Sequence, residues 1–232
     1  MEARNATGQA RARRALIFWS SGKDSAYALY TLRQQGDVEV VGLLTTVNRP
    51  PNRVAVHAVP ESLLAVQADA CGLTVKRVVI PDPCSNEHYE AAVGAALKDA
   101  KSAGIDAVVF GDLFLEDIRA YRESLLAGTG LEPLFPLWGR DTQALAEEMV
   151  AVGLRARIIC VDVKSLPRSF AGRVYDAKLL ADLPASVDPC GENGEFHTFA
   201  YAGPMFRRAI AVRMGAISER DGFVYADTSP ET

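Results

Sequence analysis

A polar segment near the N-terminus has the residue types and the spacing of an anion-binding loop. Residues 20–25, with the sequence SSGKDS, follow the apolar run 15–19 and precede a helical pattern. In such a strand–turn–helix unit, backbone N–H groups at the helix start can surround a phosphate. The expected donors are the backbone N–H groups of Ser21, Gly22 and Lys23, the Lys23 ammonium, and the hydroxyls of Ser20 and Ser25.

This segment differs in two places from the common nucleotide-binding loop G-x-x-x-x-G-K-[ST]. Ile17 stands at its first glycine, and Asp24 follows the lysine, where that loop has a metal-binding hydroxyl. Phosphates would repel a carboxylate aimed at them. Asp24 therefore either caps the following helix or holds the Mg²⁺ that accompanies a nucleotide. A helix-capping turn without any ligand is the alternative for the whole segment.

A second polar pair, Gly111 and Asp112, comes directly after another apolar run, residues 105–110. Three roles are open for Asp112: binding Mg²⁺, binding a ribose hydroxyl, or capping the helix that follows. Arg122, further along that helix, carries a planar guanidinium that suits a phosphate or a substrate carboxylate.

The most unusual stretch is PCGENGEFHTF, residues 189–199. Its polar and glycine residues are Gly191, Glu192, Gly194, Glu195, His197 and Thr198. Packing acids into a glycine-rich turn costs stability unless they face solvent or a ligand. Facing a ligand, these carboxylates could bind a cation or exchange a proton with a substrate. A second Mg²⁺ site and an exposed acidic hairpin are the alternatives.

The surrounding pattern predicts an α/β fold with a Rossmann-like, doubly wound parallel sheet. Apolar strands at residues 15–19, 38–44, 73–80 and 105–110 alternate with helical patterns that end near residues 36, 72, 104 and 127. Strands this apolar are buried on both faces. Ligands bind beyond the carboxyl ends of such strands. The loops 20–25, 45–57 and 111–123 should therefore meet at one edge of the sheet.

The pattern changes after about residue 130 and predicts a smaller C-terminal α+β domain. Asp141 is placed to cap a helix over residues 142–152, a strand follows at 156–163, and the last stretch alternates as antiparallel strands do. We expect a tail at 1–14, a first domain at 15–131 and a second domain at 132–232.

Composition limits the function classes. The net charge of −4 over 232 residues argues against a nucleic-acid backbone as the main partner. The first 14 residues lack the apolar core of a signal peptide, and the run after them is too short to span a bilayer. We expect a disordered tail there, with a nucleic-acid arm as the alternative. Four cysteines without a C-x-x-C pair indicate reduced thiols, hence a cytoplasmic protein with no membrane partner.

Several segments together resemble one enzyme family. Residues 20–25 resemble the S-G-G-x-D-S loop of the N-type ATP pyrophosphatases, within the adenine nucleotide alpha-hydrolase-like superfamily, but Ser21 replaces a glycine. Four further segments resemble the diphthine–ammonia ligase (diphthamide synthase) family and its bacterial relatives: VAVHAVPESLLAVQADACGL, FGDLFLEDIRAYRE, LFPLWGRDT and VDPCGENGEFHTF. The resemblance runs from about residue 15 to 206 and implies the superfamily's Rossmann-like fold.

The resemblance also implies chemistry. Members of this family let a substrate carboxylate attack the α-phosphorus of ATP, which releases pyrophosphate and forms an acyl-adenylate that ammonia converts to an amide. The implied catalytic residues are Lys23, Asp24, Glu192 and Glu195, and Mg²⁺ would lie at Asp24 and Asp112. In this family the acidic motif lies in the substrate cleft, so Glu192 and Glu195 would bind ammonium and take its proton, or otherwise handle the substrate. The implied ATP site comprises residues 20–25, Thr45, His57, Gly111 and Asp112. The implied substrate contacts are Arg122, Arg173, Gly191, Glu192, Gly194, Glu195, His197 and Thr198.

Two other functions stay open at this point. A tRNA-thiolation enzyme uses a similar loop and would need a reactive cysteine, for which Cys190 is the candidate. A non-catalytic protein that binds adenine nucleotides would not need the acidic turn. The partners that we expect are ATP, ammonia and a carboxylate-bearing acceptor of unspecified identity. A homodimer is one open alternative for the assembly.

Overall fold

The central strand of the main sheet begins earlier than predicted. A computed structural model describes residues 12–49, 53–54 and 59–231. In it, β1 (Arg13–Phe18) starts within the predicted tail, and Arg13 pairs with Val38 of the next strand. The Arg13 guanidinium also forms ion pairs with Asp37 at 3.2 Å and Glu132 at 2.9 Å, so its charge is compatible with a strand end. The rest of the predicted tail, residues 1–11, lies outside the described residues.

The main sheet has the predicted doubly wound topology. Five parallel strands run in the order β4-β2-β1-β5-β6, and β3 pairs antiparallel with the end of β2. The strands after β1 are β2 (Val38–Asn48), β3 (Arg53–Val54), β4 (Thr74–Ile80), β5 (Ala107–Val109) and β6 (Glu132–Leu134). The helices between them are α1 (Lys23–Gln35), α2 (Glu61–Cys71), α3 (Asn86–Ser102) and α4 (Glu116–Leu126).

Alternate residues of the inner strands enter two different cores, which is why these strands are apolar throughout. Ile17 of β1 packs with α1 and α2 on one face, whereas Leu16 packs with α3 and α4 on the other. Val109 and Val108 of β5 divide between the two faces in the same way. Both faces of the sheet are therefore covered by helices.

Two strands differ from the prediction. β2 continues through Asn48, so residues 45–48 are strand and not loop; there β2 pairs with β4. β6 was missed because it has only three residues and contains Pro133, which fits an edge strand. β6 adds residues 132–134 to the first sheet, beyond the predicted domain boundary at residue 131.

The C-terminal part forms a smaller antiparallel sheet in the order β8-β7-β10-β9. Its elements are α5 (Thr142–Ala151), β7 (Arg155–Asp162), α6 (Ala177–Asp182), β8 (Phe196–Ala202), β9 (Val212–Arg220) and β10 (Phe223–Pro230). Asp141 caps α5, as predicted, by accepting a hydrogen bond from the Ala144 N–H at 2.8 Å. One hydrophobic core continues from the α1 and α2 side of the main sheet into this second sheet. In the described ranges, no helix is both long and apolar enough to cross a bilayer.

Candidate active site

Three polar segments that are far apart in sequence line one cavity of about 180 Å³. They are the loop at residues 20–25, the end of β5 at Gly111 and Asp112, and the acidic turn, by which we mean residues 188–195, with the start of β8. The lining residues are Phe18, Ser20, Gly22, Lys23, Asp24, Ser25, Phe110, Gly111, Asp112, Arg122, Cys190, Gly191, Glu192, Phe196, His197 and Thr198. The sequence-based choice of loops 20–25 and 111–123 and of the acidic turn is consistent with this arrangement.

The loop 20–25 is held by its own hydrogen bonds. The Ser20 and Ser25 hydroxyls lie 3.1 Å apart, the Gly22 N–H donates to Ser20 Oγ at 3.2 Å, and Ser25 Oγ donates to the Gly22 carbonyl at 3.1 Å. The loop therefore has a defined shape without any ligand. An anion that used the Gly22 N–H would compete with the Ser20 hydroxyl for that donor.

Ser21 occupies the position of the first glycine in the S-G-G-x-D-S loop. Its backbone has a positive φ angle, as glycine residues often do. Its φ angle is 71°, in the left-handed region that costs an L-residue roughly 1–2 kcal/mol. The side chain is fully buried, and within the described part of the chain its hydroxyl has no hydrogen-bond partner. A serine at this position thus adopts a backbone geometry that glycine takes without strain.

Ser21→Gly should therefore stabilise the protein. The substitution removes the left-handed strain and a buried, unpaired hydroxyl, partly offset by the greater backbone entropy of glycine in the unfolded chain. We expect the free energy of unfolding to rise by about 1 kcal/mol, measured by urea denaturation. Gly36→Ala is the matched control: Gly36 has φ 75° and no atom within 4 Å of an added Cβ, so this substitution should destabilise. A lower stability for Ser21→Gly would contradict the strain argument.

The loop is also attached to β8 through Thr198, which was predicted as a substrate contact and lines the cavity, and through Gln67, which the sequence did not single out. Thr198 Oγ1 accepts a hydrogen bond from the Lys23 N–H at 3.1 Å, so it provides a partner for a backbone N–H in the first turn of α1. Gln67 of α2 is fully buried and donates from Nε2 to the carbonyls of Ser21 at 3.1 Å and Ala200 at 2.7 Å. An available signal was that Gln67 lies on the apolar face of α2, four residues after Leu63.

The Lys23 ammonium lies elsewhere than expected. Lys23 is 1% exposed, and its Nζ donates to both carboxylate oxygens of Asp24, at 2.7 and 2.8 Å, and to the carbonyl of Cys190. The rings of Tyr175 and Phe196 lie 5.4 and 5.7 Å from Nζ. Burial lowers the pKa of Lys23, but the Asp24 charge and the other groups around the ammonium outweigh it and raise that pKa above its ordinary value. The ammonium is thus enclosed by protein groups.

The helix-capping alternatives for two aspartates are wrong. The N-cap of α1 is Gly22, and the Asp24 carboxylate binds the Lys23 ammonium. The N-cap of α4 is Leu115, not Asp112. Asp112 instead lies by the cavity with Oδ2 3.5 Å from Arg122 Nε, and neither atom has a hydrogen bond to any described residue. Burial raises the pKa of Asp112, and the Arg122 charge offsets part of this effect.

Arg122 is a cation at the cavity wall. Its guanidinium is less enclosed by protein groups than the Lys23 ammonium is. Its guanidinium carbon lies 5.1 Å from the Phe18 ring and 5.2 Å from the Phe110 ring, which orients the planar group. Gly111, next to Asp112, allows its own backbone to approach the loop 20–25 closely, because an added Cβ would lie 3.1 Å from backbone atoms of Asp24 and Ser25. Arg122 can therefore meet an anion in the cavity.

Glu192 reaches the cavity from the acidic turn. Its Oε1 accepts a hydrogen bond from the Leu113 N–H at 2.6 Å, which connects the turn to the end of β5. Burial raises the pKa of Glu192 to about 7; the hydrogen bond from Leu113 lowers it, and the neighbouring Asp24 and Asp112 charges raise it. A carboxylate that titrates near neutral pH can accept and release a proton there.

The second glutamate of the turn has a different position. Glu195 is 6% exposed and does not line the cavity. Its Oε1 accepts hydrogen bonds from the Asp188 N–H and from Asn193 Nδ2, both at 3.0 Å. These contacts close the turn, in which Gly191 and Gly194 have φ angles of 71° and 87°. The exposed-hairpin alternative therefore does not describe Glu195.

His197 lines the cavity beside Thr198. Burial, together with the Lys23 charge, lowers the pKa of His197 to about 4. The imidazole is therefore neutral at neutral pH. It can donate or accept a hydrogen bond but adds no positive charge to the site.

Two predicted contacts among the described residues, Thr45 and Arg173, do not line the cavity. Thr45 is buried in β2 and donates from Oγ1 to the Trp19 carbonyl at 2.6 Å. Arg173 pairs with Asp182 at 2.6 Å and lies over the Phe170 ring. His57 lies outside the described residues. Arg173 was predicted from a match in sequence, which does not determine where a side chain points, whereas Thr45 was predicted from its place in a backbone segment and stays a prediction.

The residues fit a magnesium ion only as part of a nucleotide complex. Among the described residues, no three His, Cys, Asp or Glu side chains form a group that could hold a metal. Mg²⁺ bound with a nucleotide needs only one or two carboxylates besides phosphates and water. Asp112 Oδ2 is a buried oxygen without a hydrogen bond, which suits that role, whereas both Asp24 oxygens are engaged by Lys23.

Two family models match the two parts of the chain that contribute residues to this cavity. Residues 13–133 match the family model of the diphthamide synthase N-terminal domain, and residues 141–226 match that of the diphthamide synthase C-terminal domain. The loop 20–25 and Asp112 lie in the first matched segment, and the acidic turn lies in the second. The N-terminal match alone spans more than half of the chain.

Curated relatives carry the name diphthine–ammonia ligase. The chain is 33% identical over 114 residues to the one from Danio rerio, covering 47% of this chain and 44% of the relative. It is 30% identical over 113 residues to the one from Homo sapiens, covering 47% and 42%. For Schizosaccharomyces pombe the identity is 30% over 112 residues, covering 47% and 18%. The matched segment is thus less than half of each relative's length. On the two family models together, the chain belongs to the diphthamide synthase family.

Proposed function

We propose that this protein is an ATP-dependent ligase of the acid–ammonia type. A substrate carboxylate attacks the α-phosphorus of ATP, pyrophosphate leaves, and ammonia displaces AMP from the acyl-adenylate to give an amide. The observation that carries the proposal is the meeting of loop 20–25, Asp112, Arg122 and Glu192 around one cavity. The names of the relatives support a ligase and a diphthine-type acceptor carboxylate. We place the activity in the cytoplasm.

In this proposal the loop 20–25 and Arg122 bind the phosphates. Pyrophosphate gains negative charge as it leaves, so preorganised donors at this position would stabilise the transition state. Ser20, Gly22 and Ser25 of this loop line the cavity. The Arg122 guanidinium faces it from another, held by two aromatic rings. Asp112 would hold Mg²⁺, which supplies charge neutralisation on the phosphate oxygens when bound.

Glu192 is the proposed base for ammonia. A carboxylate at the cavity wall can bind ammonium and accept one of its protons, which leaves the neutral amine that attacks the acyl carbon. Its pKa of about 7, raised by burial, suits this exchange near neutral pH. The neutral His197 beside it does not repel the ammonium.

The test is an assay for AMP and pyrophosphate in the presence of Mg²⁺-ATP, ammonium and a panel of carboxylic acids. The proposal expects AMP and pyrophosphate in equal amounts, in a reaction that requires one of the acids. Release of ADP and phosphate, or ATP binding without any turnover with any acid, would contradict it. The second outcome would support a non-catalytic nucleotide-binding protein.

Thiolation is disfavoured by the state of Cys190. Burial raises the pKa of the Cys190 thiol to about 12, and its Sγ lies 3.5 Å from the Thr142 carbonyl. A thiol rather than a thiolate is a poor nucleophile, so Cys190 is not set up to carry sulfur. The structure holds all four cysteines as free thiols.

Cys190→Ser is therefore expected to keep AMP formation within about threefold of the parent rate, because a hydroxyl can take over the hydrogen bond to Thr142. Steady-state AMP release measures this. Cys71→Ser is the matched control, since Cys71 is equally buried but lies in α2 away from the cavity. Complete loss of activity in Cys190→Ser, with Cys71→Ser active, would favour the thiolation alternative.

A further inference from the structure

The Lys23 ammonium has no donor left for a ligand. An ammonium group has three N–H donors. Two of the observed acceptors are the carboxylate oxygens of Asp24, and the third is the carbonyl of Cys190. The faces of two aromatic rings, from Tyr175 and Phe196, cover the remaining surface of the group. This lysine is enclosed even though the loop that carries it borders the cavity.

We propose that Lys23 is a positioning residue that holds the acidic turn against the loop 20–25, and that it does not bind phosphate. The proposal rests on the proposed function only through Glu192, whose role as the base for ammonia belongs to that function. Through Cys190, Lys23 fixes the backbone two residues before Glu192. The cation that meets the phosphates is then Arg122.

The bonding of the turn explains why such a contact is needed. Inside the turn, Glu195 accepts from Asp188 and Asn193, and Tyr175 Oη donates to the Pro189 carbonyl at 2.8 Å. These bonds shape the turn but do not attach it to the main sheet. Of the hydrogen bonds found among the described residues, those from Lys23 to Cys190 and from Leu113 to Glu192 make that attachment.

The alternative role for Lys23 would require a large rearrangement. To reach a phosphate, the ammonium would have to leave the Cys190 carbonyl and both rings, and the Asp24 carboxylate would lose its partner beside an anion. Removing one member of a buried ion pair leaves an uncompensated charge, which is strongly unfavourable. The Arg122 guanidinium lies at the cavity already and makes no hydrogen bond from Nε to the described residues.

The experiment compares Lys23→Met with Arg122→Met in the full chain. Inorganic pyrophosphate is the probe, its dissociation constant is measured by calorimetry, and hydrogen exchange is followed in residues 188–195. We expect Lys23→Met to change the pyrophosphate affinity by less than about threefold while exchange in the turn rises at least about tenfold. Arg122→Met should weaken pyrophosphate at least about tenfold with unchanged exchange in the turn.

Kinetics add a test that a general loss of stability would not pass. Lys23→Met should lower kcat with little change in KM for ATP. The double variant Lys23→Met/Glu192→Gln should lose no more amide formation than Glu192→Gln alone, because both residues act through one carboxylate. The variant Lys23→Met/Asp24→Asn removes both charges of the pair and serves if Lys23→Met folds poorly. In that background too, the turn should exchange faster.

Either of two results overturns the proposal: unchanged exchange in residues 188–195 when Lys23 is replaced, or a loss of pyrophosphate affinity in Lys23→Met as large as in Arg122→Met. The exchange measurement needs neither turnover nor an acid substrate. If no acid supports AMP release, the proposed function fails, and the exchange arm still decides the role of Lys23.

Discussion

Glu192→Gln is expected to lower amide formation by about 10²–10⁴-fold, the usual contribution of a positioned general base. The amide keeps the size of the side chain and an oxygen that can accept from the Leu113 N–H, but it cannot take a proton from ammonium. The adenylation half-reaction does not need that proton transfer. Acid-dependent exchange of labelled pyrophosphate into ATP should therefore persist, and this assay separates the two half-reactions.

The pH dependence sharpens this expectation. The base must be ionised, so amide formation by the parent should rise with pH through about 7, where burial places the pKa of Glu192. The same raised pKa means that the folded protein keeps a proton that the unfolded chain releases. Ionising Glu192 then costs stability as the pH rises from about 4.5 to about 7. In Glu192→Gln both pH dependences should be reduced.

Glu195→Gln is the comparison variant, since Glu195 belongs to the same turn but does not line the cavity. It should change amide formation far less than Glu192→Gln and leave the protein folded, because the amide oxygen can still accept from the Asp188 N–H and Asn193 Nδ2. If the two variants lost amide formation equally while both remained folded, the assignment of the base to Glu192 would be wrong. The same conclusion would follow if the residual amide formation of Glu192→Gln had the same pH profile as amide formation by the parent.

Arg122→Met is expected to raise KM for ATP by roughly 10–100-fold, which corresponds to losing charge-assisted hydrogen bonds worth about 1.5–3 kcal/mol. Methionine keeps apolar contact with the Phe18 and Phe110 rings, so the effect should come mainly from the charge and the planar donors. Arg122→Lys should recover only part of the affinity, because an ammonium restores the charge but not the fork. Steady-state kinetics with varied Mg²⁺-ATP measure both.

Arg119→Met is the matched control on the same helix. Arg119 also lies over two rings, those of Phe135 and Trp138, at 4.9 and 4.7 Å, but it is paired with Glu123 and does not line the cavity. It should leave KM for ATP unchanged while changing stability to a similar degree. If Arg119→Met raised KM as much as Arg122→Met, the effect would come from the packing of α4 and not from contact with phosphate.

Much of this protein can be derived from local sequence. Apolar runs separated by helical patterns predict the doubly wound sheet, since alternate strand residues must enter two cores. Gly36 and Gly72 mark helix ends because those positions need a left-handed backbone. Asp141 marks a helix start because that position needs a side-chain acceptor. Short-range periodicity and single-residue geometry are encoded within a few residues, so the pattern of one chain suffices for them.

The tertiary structure alone decided which charged groups face the cavity. Lys23 finds its acceptor at Cys190, 167 residues away, and Glu192 enters the cavity while Glu195 closes its own turn. Of two candidate arginines, Arg122 lies at the cavity and Arg173 binds Asp182. Residue type and spacing show that a donor or acceptor exists. Which distant partner satisfies it depends on how the two sheets pack, because a buried polar group bonds to whatever the fold places beside it.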